Sequence, residues 1–233
     1  MAIRGRDDGL MEAPMNPLPK VVWLLALPMI VIELVLSLAG RGVIGGPAGI
    51  GWRVDAIQMV AFSPKLMRWM VENGIWPLEP LLRLVAYPFV HVNLTHAVMV
   101  VVMLLALGKM VGEIFRWWAV LAVFFGSAIG GALVYAAIPV ITLPLVGGYP
   151  AIYGLIGAFT FLIWVRLAGT GTTQFRAFTM IGFLLGAQLV FGLLFGGGPE
   201  WVADLAGFAV GFALSFVVSP GGIARVRARL RQR

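Results

Sequence analysis

The chain has 233 residues, 61% of them hydrophobic and only 12% charged, against roughly 25% charged in an average soluble domain. It has too little polar surface to cover itself in water, so lipid is its main solvent and a soluble globular enzyme is excluded. Its net charge of +7 gathers at the ends of apolar segments. Membrane orientation explains that pattern better than nucleic-acid binding does, and no nucleic-acid partner is expected. The chain has no cysteine, which excludes disulfides and thiolate metal sites and leaves the redox compartment open.

A helix crosses a bilayer core of about 30 Å with roughly 20 apolar residues. In chain order, residues 21–38, 87–107, 117–140, 150–165, 177–195 and 201–218 supply such stretches, which makes the expected fold class all-α and integral to a membrane. Residues 1–20 mix acids and bases, and no small-residue cleavage signal follows the first stretch. That stretch therefore reads as a retained helix rather than a signal peptide. With an even number of spans, both termini lie on one side. Arg225, Arg227, Arg229, Arg231 and Arg233 place the basic tail, residues 221–233, in the cytoplasm. Arg4, Arg6, Lys20, Lys109, Arg116, Arg166 and Arg176 then fall on the same side, and the remaining basic residues lie in the first loop.

That loop, residues 39–84, is too long to be structureless in a compact protein. Ser63-Pro64 supplies an N-cap followed by proline at the first helical position, and Asn73-Gly74 supplies a stop. Between them Lys65, Arg68 and Glu72 share a charged stripe opposite Leu66, Met67, Met70 and Val71. A short amphipathic helix accompanied by Trp52, Trp69 and Trp76 suits the headgroup layer, so the loop is expected to lie partly in the membrane.

The second stretch carries both histidines, His91 and His96. Five residues apart, they sit about 140° apart around a helix, a poor match to the i,i+4 spacing of helical metal pairs. No metal and no cofactor are expected, and hydrogen bonding near the helix end accounts for the pair. Glu33 and Asp204 are acids inside apolar stretches, where ionisable groups face protein or water rather than lipid.

Several of these residues together resemble the rhomboid family of intramembrane serine proteases. His91, His96 and the position of Val100 follow the family's spacing of histidine, histidine and asparagine on the second span, with valine in place of asparagine. Arg83 resembles the arginine of its first-loop Trp-Arg pair, with Leu82 at the tryptophan. Gly108 and Glu113 are similar to the glycine and glutamate that end this span, the glutamate one residue late. Residues 151–158, Ala-Ile-Tyr-Gly-Leu-Ile-Gly-Ala, are very similar to the sequence after the rhomboid serine, and residues 203–207, Ala-Asp-Leu-Ala-Gly, to its Ala-His-x-x-Gly segment. The resemblance implies a six-transmembrane-helix bundle over residues 21–220, with a long, partly embedded first loop. It also implies a bacterial-type inner membrane with both termini cytoplasmic.

The same resemblance implies that the chemistry is gone. Tyr149 occupies the family's serine position, Pro150 the following glycine and Asp204 the histidine. A serine hydroxyl needs an adjacent base, and both histidines of this chain lie on the second span. His91, His96, Val100 and Pro150 are then the lining of a former site, with no catalytic residue expected. A hydrogen bond from Tyr149 to Asp204, with His96 nearby, would plug it. Small residues Gly126 and Gly130, Gly154 and Gly157, and Gly207 and Gly211 are expected to let helices pack closely.

The function so implied is binding of transmembrane segments of client or partner proteins without cleavage. An accessory or assembly subunit of a larger membrane complex and an active intramembrane serine protease with a displaced site are the alternatives. A transporter is a third class, and no internal repeat supports it.

Overall fold

The computed structural model describes residues 17–168, 173–195 and 197–222. The arginine tail, Arg4 and Arg6 lie outside the described residues. Chain order gives α1 (Lys20–Gly40), α2 (Gly46–Gly49), α3 (Trp52–Val60), α4 (Pro64–Asn73), α5 (Leu78–Ala86), α6 (Leu94–Gly112), α7 (Trp117–Ala137), α8 (Tyr149–Leu167), α9 (Thr179–Phe195) and α10 (Trp201–Val218), with short 3₁₀ turns at Tyr87–Phe89 and Gln174–Phe178. Among the described residues, α1, α6, α7, α8 and α10 are long and apolar enough to cross a membrane. The stretch at 177–195 forms α9, 17 residues long, behind its 3₁₀ turn.

The helix at 64–73 forms between the signals that define it. Ser63 accepts a hydrogen bond from the Leu66 backbone N–H, Pro64 opens the helix, and Gly74 closes it at φ 65°, a left-handed angle that glycine takes without a Cβ clash. Periodicity misplaces one of its residues. Arg68 is not on a water-facing stripe: its guanidinium donates to the carbonyls of Ala136 (2.8 Å), Ile138 (3.2 Å) and Ile141 (2.9 Å). The cause is the end of α7, where Ile138 turns extended before Pro139 and the terminal carbonyls have no intrahelical donor. Met67 and Met70 are buried and Val71 is exposed.

The second apolar stretch is not helical throughout. Its helix begins at Leu94 rather than at residue 87, because Tyr87–Phe89 is a 3₁₀ turn, Val90 is extended and Asn93 caps α6 by accepting from His96 N–H at 2.8 Å. This displacement puts His91 in the irregular segment between the 3₁₀ turn and α6, and His96 in the first turn of α6.

At the centre lies α8, where residues 150–158 are all buried. Helix α10 packs on it through Gly207 and Gly211, where a Cβ would collide with the Pro150 and Gly154 carbonyls. On α7, Gly126 and Gly130 lie against Leu214 and Val210 of α10, while Gly154 abuts Ser127 of α7 and Gly157 abuts Phe208 and Phe212 of α10. Tyr87 reaches across to donate its hydroxyl to the Ala128 carbonyl at 2.8 Å, fully buried.

Candidate functional site

The site forms where the start of α8 meets the start of α6. Residues leading into α8 are held from two sides. Phe62 and Leu145 exchange backbone hydrogen bonds of 2.9 Å each, tying the segment to the first loop. Gly147 N–H then donates to the Tyr87 carbonyl at 3.0 Å. Gly147 has φ 94°, a left-handed conformation, and a Cβ there would collide with the His96 ring. Glycine is therefore required both by the turn and by the imidazole beside it. A Cβ on Gly148 would lie 2.7 Å from Val100 Cγ1, so the fully buried Val100 packs directly under the entrance to α8.

Tyr149 begins α8, one residue ahead of the apolar stretch that starts at 150, and its ring stacks on His96, centroids 4.8 Å apart and planes within 14°. His91 meets His96 edge to face at 5.1 Å. The three rings form one contiguous aromatic column. Buried nitrogens of His91 (both) and His96 (Nε2) have no protein hydrogen-bond partner among the described residues. Asp204, in the first turn of α10, is buried and lies within electrostatic reach of Tyr87, Tyr149 and Tyr153. Tyr149 thus stacks on the ring of His96, with Asp204 near enough to act on it electrostatically. Pro150 packs its Cβ toward Gly131 of α7, beside Ala203 of α10.

Arg83 lies apart from this column. It pairs with Glu79 at 2.6 Å and donates to the Ala61 carbonyl at 3.2 Å, bracing α5 against the residue before Phe62. Leu82 is exposed.

Two site residues were not singled out by sequence reasoning. Arg53 of α3 makes a forked pair with Glu33 of α1 (2.6 and 2.9 Å), donates to Ser37 at 3.2 Å, and donates to the His91 carbonyl at 2.8 Å. Ser37 also donates to Glu33 at 2.6 Å. Asn93, the cap of α6, is the second. The signal for Arg53 was chemical rather than periodic: a lone acid inside an apolar helix needs a cation nearby, and the loop arginines were the candidates on that side.

Ser37 is linked to His91 through Arg53, which donates to the Ser37 hydroxyl and to the His91 carbonyl, and the other serines have other surroundings. Ser37 serves Glu33, Ser63 caps α4, Ser127 sits buried between α7 and α8, and Ser215 donates to the Gly211 carbonyl at 2.7 Å. Ser219 is buried just beyond the end of α10. The hydroxyl-bearing residue that begins α8 is Tyr149, and the acidic residue in the first turn of α10 is Asp204.

A family model described as Rhomboid domain matches residues 79–221, more than half of the chain. The chain belongs to the rhomboid family. A curated relative, Rhomboid-like protease 2 of Toxoplasma gondii, is 29% identical over 158 residues, covering 66% of this chain and 52% of that protein. The chain thus spans about half the length of the relative it matches. The rhomboid match begins within α5, so the Glu33–Arg53 pair lies in the part of the chain before it.

Proposed function

We propose that this rhomboid-family protein binds membrane segments of client or partner proteins and does not cut them. The observation that carries the reading is the Tyr149–His96 ring stack at the position where the family keeps its nucleophile. A nucleophile needs a base within hydrogen-bond reach, and here that position offers a phenol lying flat on an imidazole. The family's base position is Asp204, which supplies a carboxylate instead. Val100 cannot donate a hydrogen bond to an oxyanion, and one missing donor of this kind costs about 10²–10³ in rate.

The relative's printed name, a protease, favours cleavage as the second reading. Against it stands the placement of the serines, several of them engaged in capping or structural hydrogen bonds. In our reading α9 completes a six-span bundle: 17 residues rise about 25 Å, near the lower limit for a span. Both termini then lie in the cytoplasm, in a bacterial-type inner membrane, with residues 39–84 partly embedded on the opposite side.

A photo-crosslinking residue placed at position 149 tests the binding role in native membranes. Adducts at the mass of intact membrane segments are expected. Adducts or released products at the mass of cleaved segments would overturn it.

A further inference from the structure

Beyond the histidine column, the fold holds a second concavity. Helices α4 and α5 and the end of α7 form a mainly apolar groove of about 530 Å³, lined by aliphatic side chains and Met67, with Leu133, Ala136 and Ala137 on the α7 side and Arg68, Glu72 and Trp76 as its polar and aromatic members. We propose that this groove is a lipid site, holding one acyl chain of a zwitterionic phospholipid whose ammonium group is received by Glu72 and Trp76.

Three observations choose that occupant. The first is depth: α7 is long and apolar enough to cross a membrane, and the groove lies against its last turn, where Leu133 is 44% exposed. If α7 spans the membrane, this opening lies at the end of the span, within reach of lipid. The second is the polarity of the wall. The end of a helix ordinarily presents bare carbonyls, which would repel an acyl chain. Arg68 takes up the Ala136 carbonyl and those of Ile138 and Ile141 just beyond the helix, so the α7 side of the groove is presented by Leu133, Ala136 and Ala137.

The third is size and charge. One turn of helix with its side chains fills on the order of 400–600 Å³, so the groove accepts about one turn of a protein segment and no spanning helix. A single flexible chain fits. At the rim, the exposed Glu72 carboxylate and the Trp76 indole, 54% exposed, offer charge and a π face to an ammonium group. Arg68 also lines the groove, so its guanidinium and the Glu72 carboxylate together suit a zwitterionic headgroup rather than a net anionic one.

Native mass spectrometry of the full chain in mild detergent tests this, with phosphatidylethanolamine or phosphatidylglycerol of identical acyl chains added. One tightly retained phosphatidylethanolamine adduct is expected, severalfold favoured over phosphatidylglycerol. Leu133→Trp fills the groove and should reduce the adduct at least tenfold. Val134→Trp, on the neighbouring exposed face of α7, should leave it unchanged, and Glu72→Gln should keep the adduct but abolish the headgroup preference. Should Leu133→Trp fail to fold, Ala137→Leu narrows the same groove with less bulk. Retention of the adduct in the folded groove-filling variant, equal loss in Val134→Trp, or its displacement by an apolar helical peptide would each overturn the proposal.

Discussion

The ring of Tyr149 lies flat on the imidazole of His96, 4.8 Å between centroids and 14° from parallel. The stack spans the start of α8 and the first turn of α6, and Gly147 leaves the space for it. An aromatic pair of this kind contributes about 0.5–1.5 kcal/mol beyond its buried area. Tyr149→Phe keeps the ring and should leave the apparent melting temperature in detergent nearly unchanged. Tyr149→Ala should lower it, and an equal drop in both variants would show that the hydroxyl, not the ring, matters.

Breaking the Glu33–Arg53 pair should be costly. Glu33 is buried, and removing one partner of a buried pair costs about 3–5 kcal/mol because the other charge is left uncompensated. Arg53→Met should destabilise strongly. Combining it with Glu33→Gln should lose clearly less than the sum of the single variants, since the double variant buries no lone charge. Additive losses in the melting midpoint would contradict the pair.

At the end of α7, Arg68 donates to three carbonyls. Hydrogen bonds to charged groups contribute about 1.5–3 kcal/mol each, so Arg68→Ala should cost on the order of 3 kcal/mol after partial rehydration. Arg68→Lys should recover only part, because an ammonium lacks the planar fork that spans separate acceptors. Full rescue by lysine would show that charge alone is needed.

Gly211→Ala should be among the most damaging single-methyl changes, because its Cβ would meet the Gly154 backbone, which cannot rotate aside. Overpacking of this sort costs typically 1–3 kcal/mol. Gly182→Ala in α9 meets nothing within 4 Å and should be neutral or stabilising by up to about 1 kcal/mol. The comparison is read from paired thermal unfolding curves.

The helices that cross the bundle were legible because length and apolarity are local properties. So was α4, whose cap, proline and terminal glycine all lie within its own twelve residues. The start of α6 was not, since hydropathy runs unbroken through Tyr87, Val90 and Val92 and conceals the turn that Pro88 and the Asn93 cap impose. Arg68 and Arg53 were missed for a different reason. Their partners lie at least 68 and at least 16 residues away along the chain, and a helical wheel reports only which face a residue occupies. In the site, Tyr149, Asp204 and Val100 were identified by position in a family pattern. The stack of Tyr149 on His96 depended on a left-handed Gly147 that no single residue announces.

Labelling of the purified full-length protein with a serine-directed fluorophosphonate tests the central claim most directly. No labelling above that of heat-denatured protein is expected, because the buried His91 nitrogens and His96 Nε2 accept from no serine hydroxyl among the described residues. Stoichiometric labelling abolished by replacing one serine would contradict the account and restore this rhomboid as a protease.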